Sequence, residues 1–145
     1  MPAEELLDVL VLDSRLTEVS RAQAWAEALA ARLNMSEKAR YALLLCLEES
    51  LANVVLHGYR GESGHPIAIR CWLAGDLLYL AIEDRAPAFA PADVPQGSDD
   101  PRQVGIESIQ PGGYGIGLLR HFARELMYEK LAEGNRLTMG FPIRS

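Results

Sequence analysis

LCLEESLANVVLHGY, residues 45–59, decides how this chain is read. With Leu43 just upstream, apolar side chains recur at Leu43, Leu47, Leu51 and Val54. That three-and-four spacing is the buried stripe of a helix. It predicts a helix over 37–57, with Ser36 as its N-cap. Each residue turns about 100° around a helix, so Glu49, Asn53 and His57 line a polar stripe beside the buried one. A carboxylate at such an edge can take a proton or orient a nucleophile. An Asn carbonyl is a hard oxygen ligand, suited to a Mg²⁺ ion that also holds phosphate and water. Taken alone, E-x-x-x-N occurs often by chance and reads first as a solvated helix face.

Upstream, residues 6–12 read as a strand rich in Leu and Val, and Thr17 is a cap candidate for a first helix running to residue 33. Downstream, three glycines and a proline make 58–66 a loop. Residues 67–73 and 77–83 read as two strands joined by a turn at 74–76. The stretch 85–111 is rich in Pro, Gly, Asp, Ala and Ser and too long for an ordinary connection, which marks a lid, a binding loop or a disordered linker. A helix is expected over 116–126. Strands follow over 127–131 and 137–143, with a turn at Glu133-Gly134-Asn135. This order predicts an α+β domain spanning 1–145: a two-layer α/β sandwich whose mixed, mostly antiparallel sheet carries three helices on one face.

Two further segments offer chemistry. In IEDRAPAFAP, residues 82–91, an apolar strand ends at Asp84 and breaks into a loop. A carboxylate there can accept from an exocyclic amine such as the adenine N6 group. It can also simply initiate a turn. In PGGYGIGLL, residues 111–119, the glycines Gly112, Gly113, Gly115 and Gly117 open a helix. Glycine lets backbone approach a ligand closely, and free N–H groups at a helix start favour phosphate, though the run can equally be a structural glycine turn. No Gly-Lys-Ser/Thr follows, so this is not a P-loop, and the spacing is wrong for a dinucleotide fingerprint.

Composition narrows the classes. The net charge of −6 argues against a non-specific nucleic-acid binder or a polybasic membrane anchor. Cys46 and Cys71 sit in apolar stretches and read as buried, reduced thiols, and His57, His65 and His121 are too scattered for a zinc site. The opening MPAEELLDVL has no basic region before an apolar run, and no run reaches membrane-spanning length, so a cytoplasmic protein is expected.

The order of the three segments is more specific than any one of them. It resembles the GHKL, or Bergerat-fold, ATPases, and within them the anti-sigma-factor serine/threonine kinases. Residues 45–59 look like the N box of that family and 82–91 like its variant first glycine box. GGYGIGLLRHFARELMYEK (112–130) looks like the second glycine box, and GNRLTMGFPI (134–143) resembles the closing strand. The resemblance implies ATP and Mg²⁺ as cofactors, with Glu49 as general base and Asn53 as the Mg²⁺ ligand. It implies Asp84 as the adenine-reading carboxylate and Gly112, Gly113, Gly115 and Gly117 on the phosphate side. Thr138 would be the nucleotide-contacting threonine and 90–111 the ATP lid. Glu48 points about 100° away from Glu49 and is the poorer base. Ala86 stands where many members have glycine, and Arg102 is the lid's one basic residue. The implied function is phosphorylation of a serine on an anti-anti-sigma (STAS) partner, with a sigma factor or another regulator as second partner and a homodimer as the assembly. The alternative is a non-catalytic nucleotide-binding module that sequesters a partner. Histidine kinases share the ATP fold but attach it to a helical segment bearing the phosphorylated His. A chain of this length is expected to lack one, which favours the serine-kinase type.

Overall fold

A computed structural model describes residues 5–87 and 116–144. Strand β1 (Glu5–Asp13) leads through a single 3-10 turn (Leu16–Glu18) into α1 (Val19–Arg32) and α2 (Glu37–Asn53). Next come β2 (Pro66–Ala74) and β3 (Leu77–Asp84), then α3 (Ile116–Phe122), β4 (Glu125–Leu131) and β5 (Gly134–Pro142). The strands form one five-stranded sheet in the order β1-β2-β3-β5-β4.

Every described pairing is antiparallel. The expected two-layer α+β architecture is present, but the mixed pairing is not. The crossover from β3 through α3 makes β4 run in the same direction as β3. The tight β4–β5 hairpin then places β5 between them, so the two like-directed strands never touch.

Alternation along the strands divides the sheet into two faces. Ile67, Ile69, Cys71, Leu78, Leu80, Ile82, Met139 and Phe141 are almost fully buried under the helices. The helices answer with small or apolar residues: Ala22, Ala26, Leu29 and Ala30 from α1, and Leu43, Cys46, Leu47 and Leu51 from α2. Both cysteines are free and buried, as the sequence predicts, and burial pushes their thiols up to about 12 for Cys46 and about 11 for Cys71. The opposite face leaves Leu6, Val9, Val11 and Met127 exposed.

Local signals fare unevenly. Ser36 caps α2 as expected, its Oγ accepting from the Ala39 amide at 3.1 Å. Thr17 does not cap α1, because it lies inside the 3-10 turn. The nearby carboxylate of Glu18 instead accepts from the Asp13 amide at 2.9 Å. Helix α3 stops at Phe122 rather than at residue 126. The Arg124 amide bonds the Gly140 carbonyl at 2.8 Å, and Glu125 already pairs with β5, so the sheet claims the backbone first.

Candidate functional site

Asp84 ends β3 on the helix-covered face, in phase with Leu80 and Ile82, and is 5% exposed. Its Oδ1 accepts from the Ala86 amide at 2.8 Å, an Asx-type turn that closes the strand. The same oxygen accepts from Asn135 Nδ2 at 2.8 Å. Asn135 Nδ2 also reaches the carbonyls of Ala86 at 3.0 Å and Pro87 at 3.3 Å, while its Oδ1 accepts from the Tyr128 hydroxyl. One buried amide therefore clamps the carboxylate and the two residues that follow the turn.

The second Asp84 oxygen, Oδ2, takes no hydrogen bond among the described residues. Every fully enclosed side-chain oxygen or nitrogen among them has a partner, so Oδ2 is the atom that reaches solvent. Burial pushes the Asp84 carboxyl above the ordinary aspartate range, and the bonds from Asn135 and Ala86 pull it partly back. A nearly buried carboxylate with one oxygen fixed and the other without a hydrogen bond can accept from a ligand N–H.

Gly134 makes this arrangement possible. Its φ is +128°, and a Cβ there would lie 1.8 Å from the Asp84 carbonyl oxygen. Only glycine lets β5 start against the end of β3, and that contact brings Asn135 opposite Asp84.

The end of α2 meets the same corner. The α-helix runs to Asn53, and Val54–Gly58 widens into a π turn, with the Tyr59 amide on the Val54 carbonyl at 2.8 Å. The sequence predicts one uninterrupted helix to His57. The wider turn instead delivers Tyr59, whose hydroxyl donates to the Pro66 carbonyl at 2.8 Å and accepts from the Arg85 amide at 2.7 Å. Its ring stacks on His65, with centroids 4.7 Å apart. Tyr59 thus ties the end of α2 to the first residue of β2 and to the residue after Asp84.

Glu49 and Asn53 lie one turn apart on the last part of α2. Between them Ser50 sends its hydroxyl to Met139 Sδ of β5 at 3.5 Å, which seats this part of the helix over the sheet. Asn53 is 6% exposed. Burial raises the Glu49 carboxyl, the charge of Glu48 raises it further, and His57 opposes them. The π turn breaks the 100° phase after Asn53, so the predicted stripe holds through Glu49 and Asn53 and His57 follows on the wider turn.

Thr138 requires a correction. It lies on the opposite, helix-free face, paired with Ala81 and Met127 and lining the same concavity as Arg70 and Glu83. It is out of phase with Met139 and Phe141, which fill the core. The residue of this strand that reaches Asp84 is Asn135. A signal for it exists: Leu137, Met139 and Phe141 set a two-residue period that places Asn135 on the same face. Reading Asn135 as part of the turn hides it. Gly117 sits in the first turn of α3, half-buried. Gly112, Gly113 and Gly115 lie outside the described residues, as does the lid over 90–111.

Among the described residues no cluster of three or more His, Cys, Asp or Glu could hold a metal ion. Asn53, the one Mg²⁺ ligand expected, supplies a single neutral oxygen. That donor set fits only a cation brought with its own phosphate and water ligands. No described helix is long and apolar enough to cross a membrane.

Comparison with known proteins agrees with this geometry. The model of the histidine kinase-like ATPase domain matches residues 12–141. The chain is also 34% identical over 134 residues to the serine/threonine-protein kinase BtrW of Bordetella bronchiseptica, covering 91% of each protein. The match spans α2, β3 and β5, the elements joined at the Asp84 corner, and an ATPase domain is a nucleotide-binding one. The chain belongs to the histidine kinase-like (GHKL) ATPase domain family.

Proposed function

We propose that this protein is an ATP-dependent serine/threonine protein kinase of the anti-sigma-factor type, working in the cytoplasm on a serine of a STAS partner. ATP is the phosphoryl donor, and Mg²⁺ would neutralise charge on its phosphates. The observation that carries the reading is the Asp84 clamp: Asn135 and Ala86 fix one carboxylate oxygen, Gly134 admits the close strand contact, and the other oxygen takes no hydrogen bond among the described residues. In this role Asp84 Oδ2 accepts from the exocyclic amine of adenine. Asn53 offers its side-chain oxygen to the cation. Glu49 takes the proton from the partner's serine hydroxyl as that oxygen bonds the γ-phosphorus and ADP leaves. Phosphoryl transfer needs mainly position and charge neutralisation, so few protein groups suffice.

The half-buried setting of Glu49 suits a base. Its raised pKa makes it a stronger proton acceptor than a free glutamate. Glu49 must be ionised to act, so transfer is lost as pH falls through that raised value.

Phosphorylation of the STAS protein would set which partner the kinase holds, the STAS protein or a sigma factor. The name of the Bordetella relative supports the serine/threonine chemistry. For a homodimer, the helix-free face offers support. Arg70, Glu83, Arg136 and Glu129 form an alternating ladder across β2, β3, β5 and β4, with Arg136 Nε 2.8 Å from Glu83 and its Nη1 3.1 Å from Glu129. A two-fold axis through the middle of the ladder would set each charge against its opposite.

The test is incubation with Mg-ATP and a candidate STAS partner, read as phosphoserine by mass spectrometry. Glu49→Gln should keep ATP and lose transfer by at least about a hundredfold. Normal transfer by that variant would remove Glu49 as base. Saturable ATP binding with no phosphoserine formed would instead establish the sequestering, non-catalytic module.

A further inference from the structure

The far end of α2 carries a second feature, unrelated to the Asp84 corner. Lys38 and Tyr41 of α2, His121 and Phe122 of α3, Arg124 and Pro142 together line a groove of about 550 Å³. Along the helix, Lys38 lies about 16 Å from Glu49, at about 1.5 Å per residue. The groove floor is apolar and closed: Phe141 is fully buried, and Ala39, Ala42 and Ala123 are buried beside it. Its wall is aromatic. Tyr41 meets the edge of Phe122 at 5.9 Å, and His121 meets the same ring at 4.7 Å.

Two properties separate this groove from ordinary surface. Tyr41 is 58% exposed, the most exposed of the large hydrophobic residues described. The charge is also one-sided. Lys38 and Arg124 are exposed, and among the described residues neither joins an ion pair and no carboxylate lines the groove. Glu37 and Glu125 flank it in sequence without lining it. On a chain of net charge −6, a cationic, aromatic groove runs against the average. Tyr and Arg are the residues that anchor protein interfaces, and cations at the rim steer an anionic partner.

We infer that this groove docks an acidic segment of a partner protein, with an aromatic or large aliphatic side chain seated in the groove against the Tyr41 and Phe122 rings and carboxylates on Lys38 and Arg124. The inference does not depend on the kinase reading, because docking is read without nucleotide.

The experiment is fluorescence anisotropy of the intact protein with a fluorescein-labelled peptide in which Asp and Glu alternate with Phe and Leu. The control peptide carries Asn and Gln in place of the acids. The acidic peptide should bind saturably, more weakly as salt rises. The neutral peptide, and the double variant Lys38→Glu/Arg124→Glu, should each bind about tenfold more weakly. Tyr41→Ala, which removes an exposed ring and leaves the core intact, should weaken binding about fivefold. Equal binding of both peptides, or an unchanged affinity in both variants, overturns the inference. Lys38→Gln/Arg124→Gln separates charge loss from charge reversal: affinity equal to the parent protein counts against the groove, and an intermediate value supports it.

Discussion

Glu83 and Asp84 are neighbours in β3 and face opposite ways. Glu83 lies on the helix-free face within an ion-pair ladder, accepting from Arg136 at 2.8 Å with Arg70 at 3.9 Å. Asp84 lies on the helix-covered face, 5% exposed, with no cation paired to it among the described residues and with neutral amides fixing one oxygen. A carboxylate balanced by arginines on an open sheet is already satisfied. A buried carboxylate held only by neutral donors is costly to the free protein, and an incoming donor can recover that cost. The contrast points to Asp84 as the working group and Glu83 as sheet structure.

The contrast can be broken most severely at Gly134. Gly134→Ala drives a Cβ into the Asp84 carbonyl and should destabilise the fold by about 3 kcal/mol, measured by chemical denaturation. Tyr59→Phe leaves the Pro66 carbonyl and the Arg85 amide without their shared hydroxyl and should cost about 1–2 kcal/mol in the same assay. Asp84→Asn should have the opposite sign. The native carboxyl holds its proton more tightly than in the unfolded chain, so ionising it costs stability as pH rises through the interval between the two values. The variant lacks that cost and should be more stable than the parent by about 1 kcal/mol at neutral pH, the gap closing as pH falls through that interval. Glu83→Gln should be the mildest, within about 1 kcal/mol, because its partners are half-exposed and screened.

Much of this contrast is legible in the amino-acid sequence alone. The two-residue period of β3 places Asp84 on the buried face, and the three-and-four spacing of α2 sets Glu49 and Asn53 beside the core stripe. Both are local periodicities, which a sequence states directly. Asn135 is not legible in that way, because its role depends on β5 slotting between β3 and β4, a pairing across distant residues. The π turn after Asn53 and the position of Tyr59 escape for a similar reason: the helix widens where Tyr59 is held by β2 and by the residue after Asp84. Thr138 enters by likeness of sequence, and the strand's own alternation places it on the other face. The glycines 112, 113 and 115, which carry much of the phosphate reading, fall outside the described residues.

The most direct measurement is calorimetric titration of Mg-ATP into the parent protein, Asp84→Asn and Glu83→Gln. The account predicts saturable binding by the parent and by Glu83→Gln, and affinity weakened about a hundredfold in Asp84→Asn despite its greater stability. Parent-like affinity in Asp84→Asn, or equal losses in both variants, would contradict it.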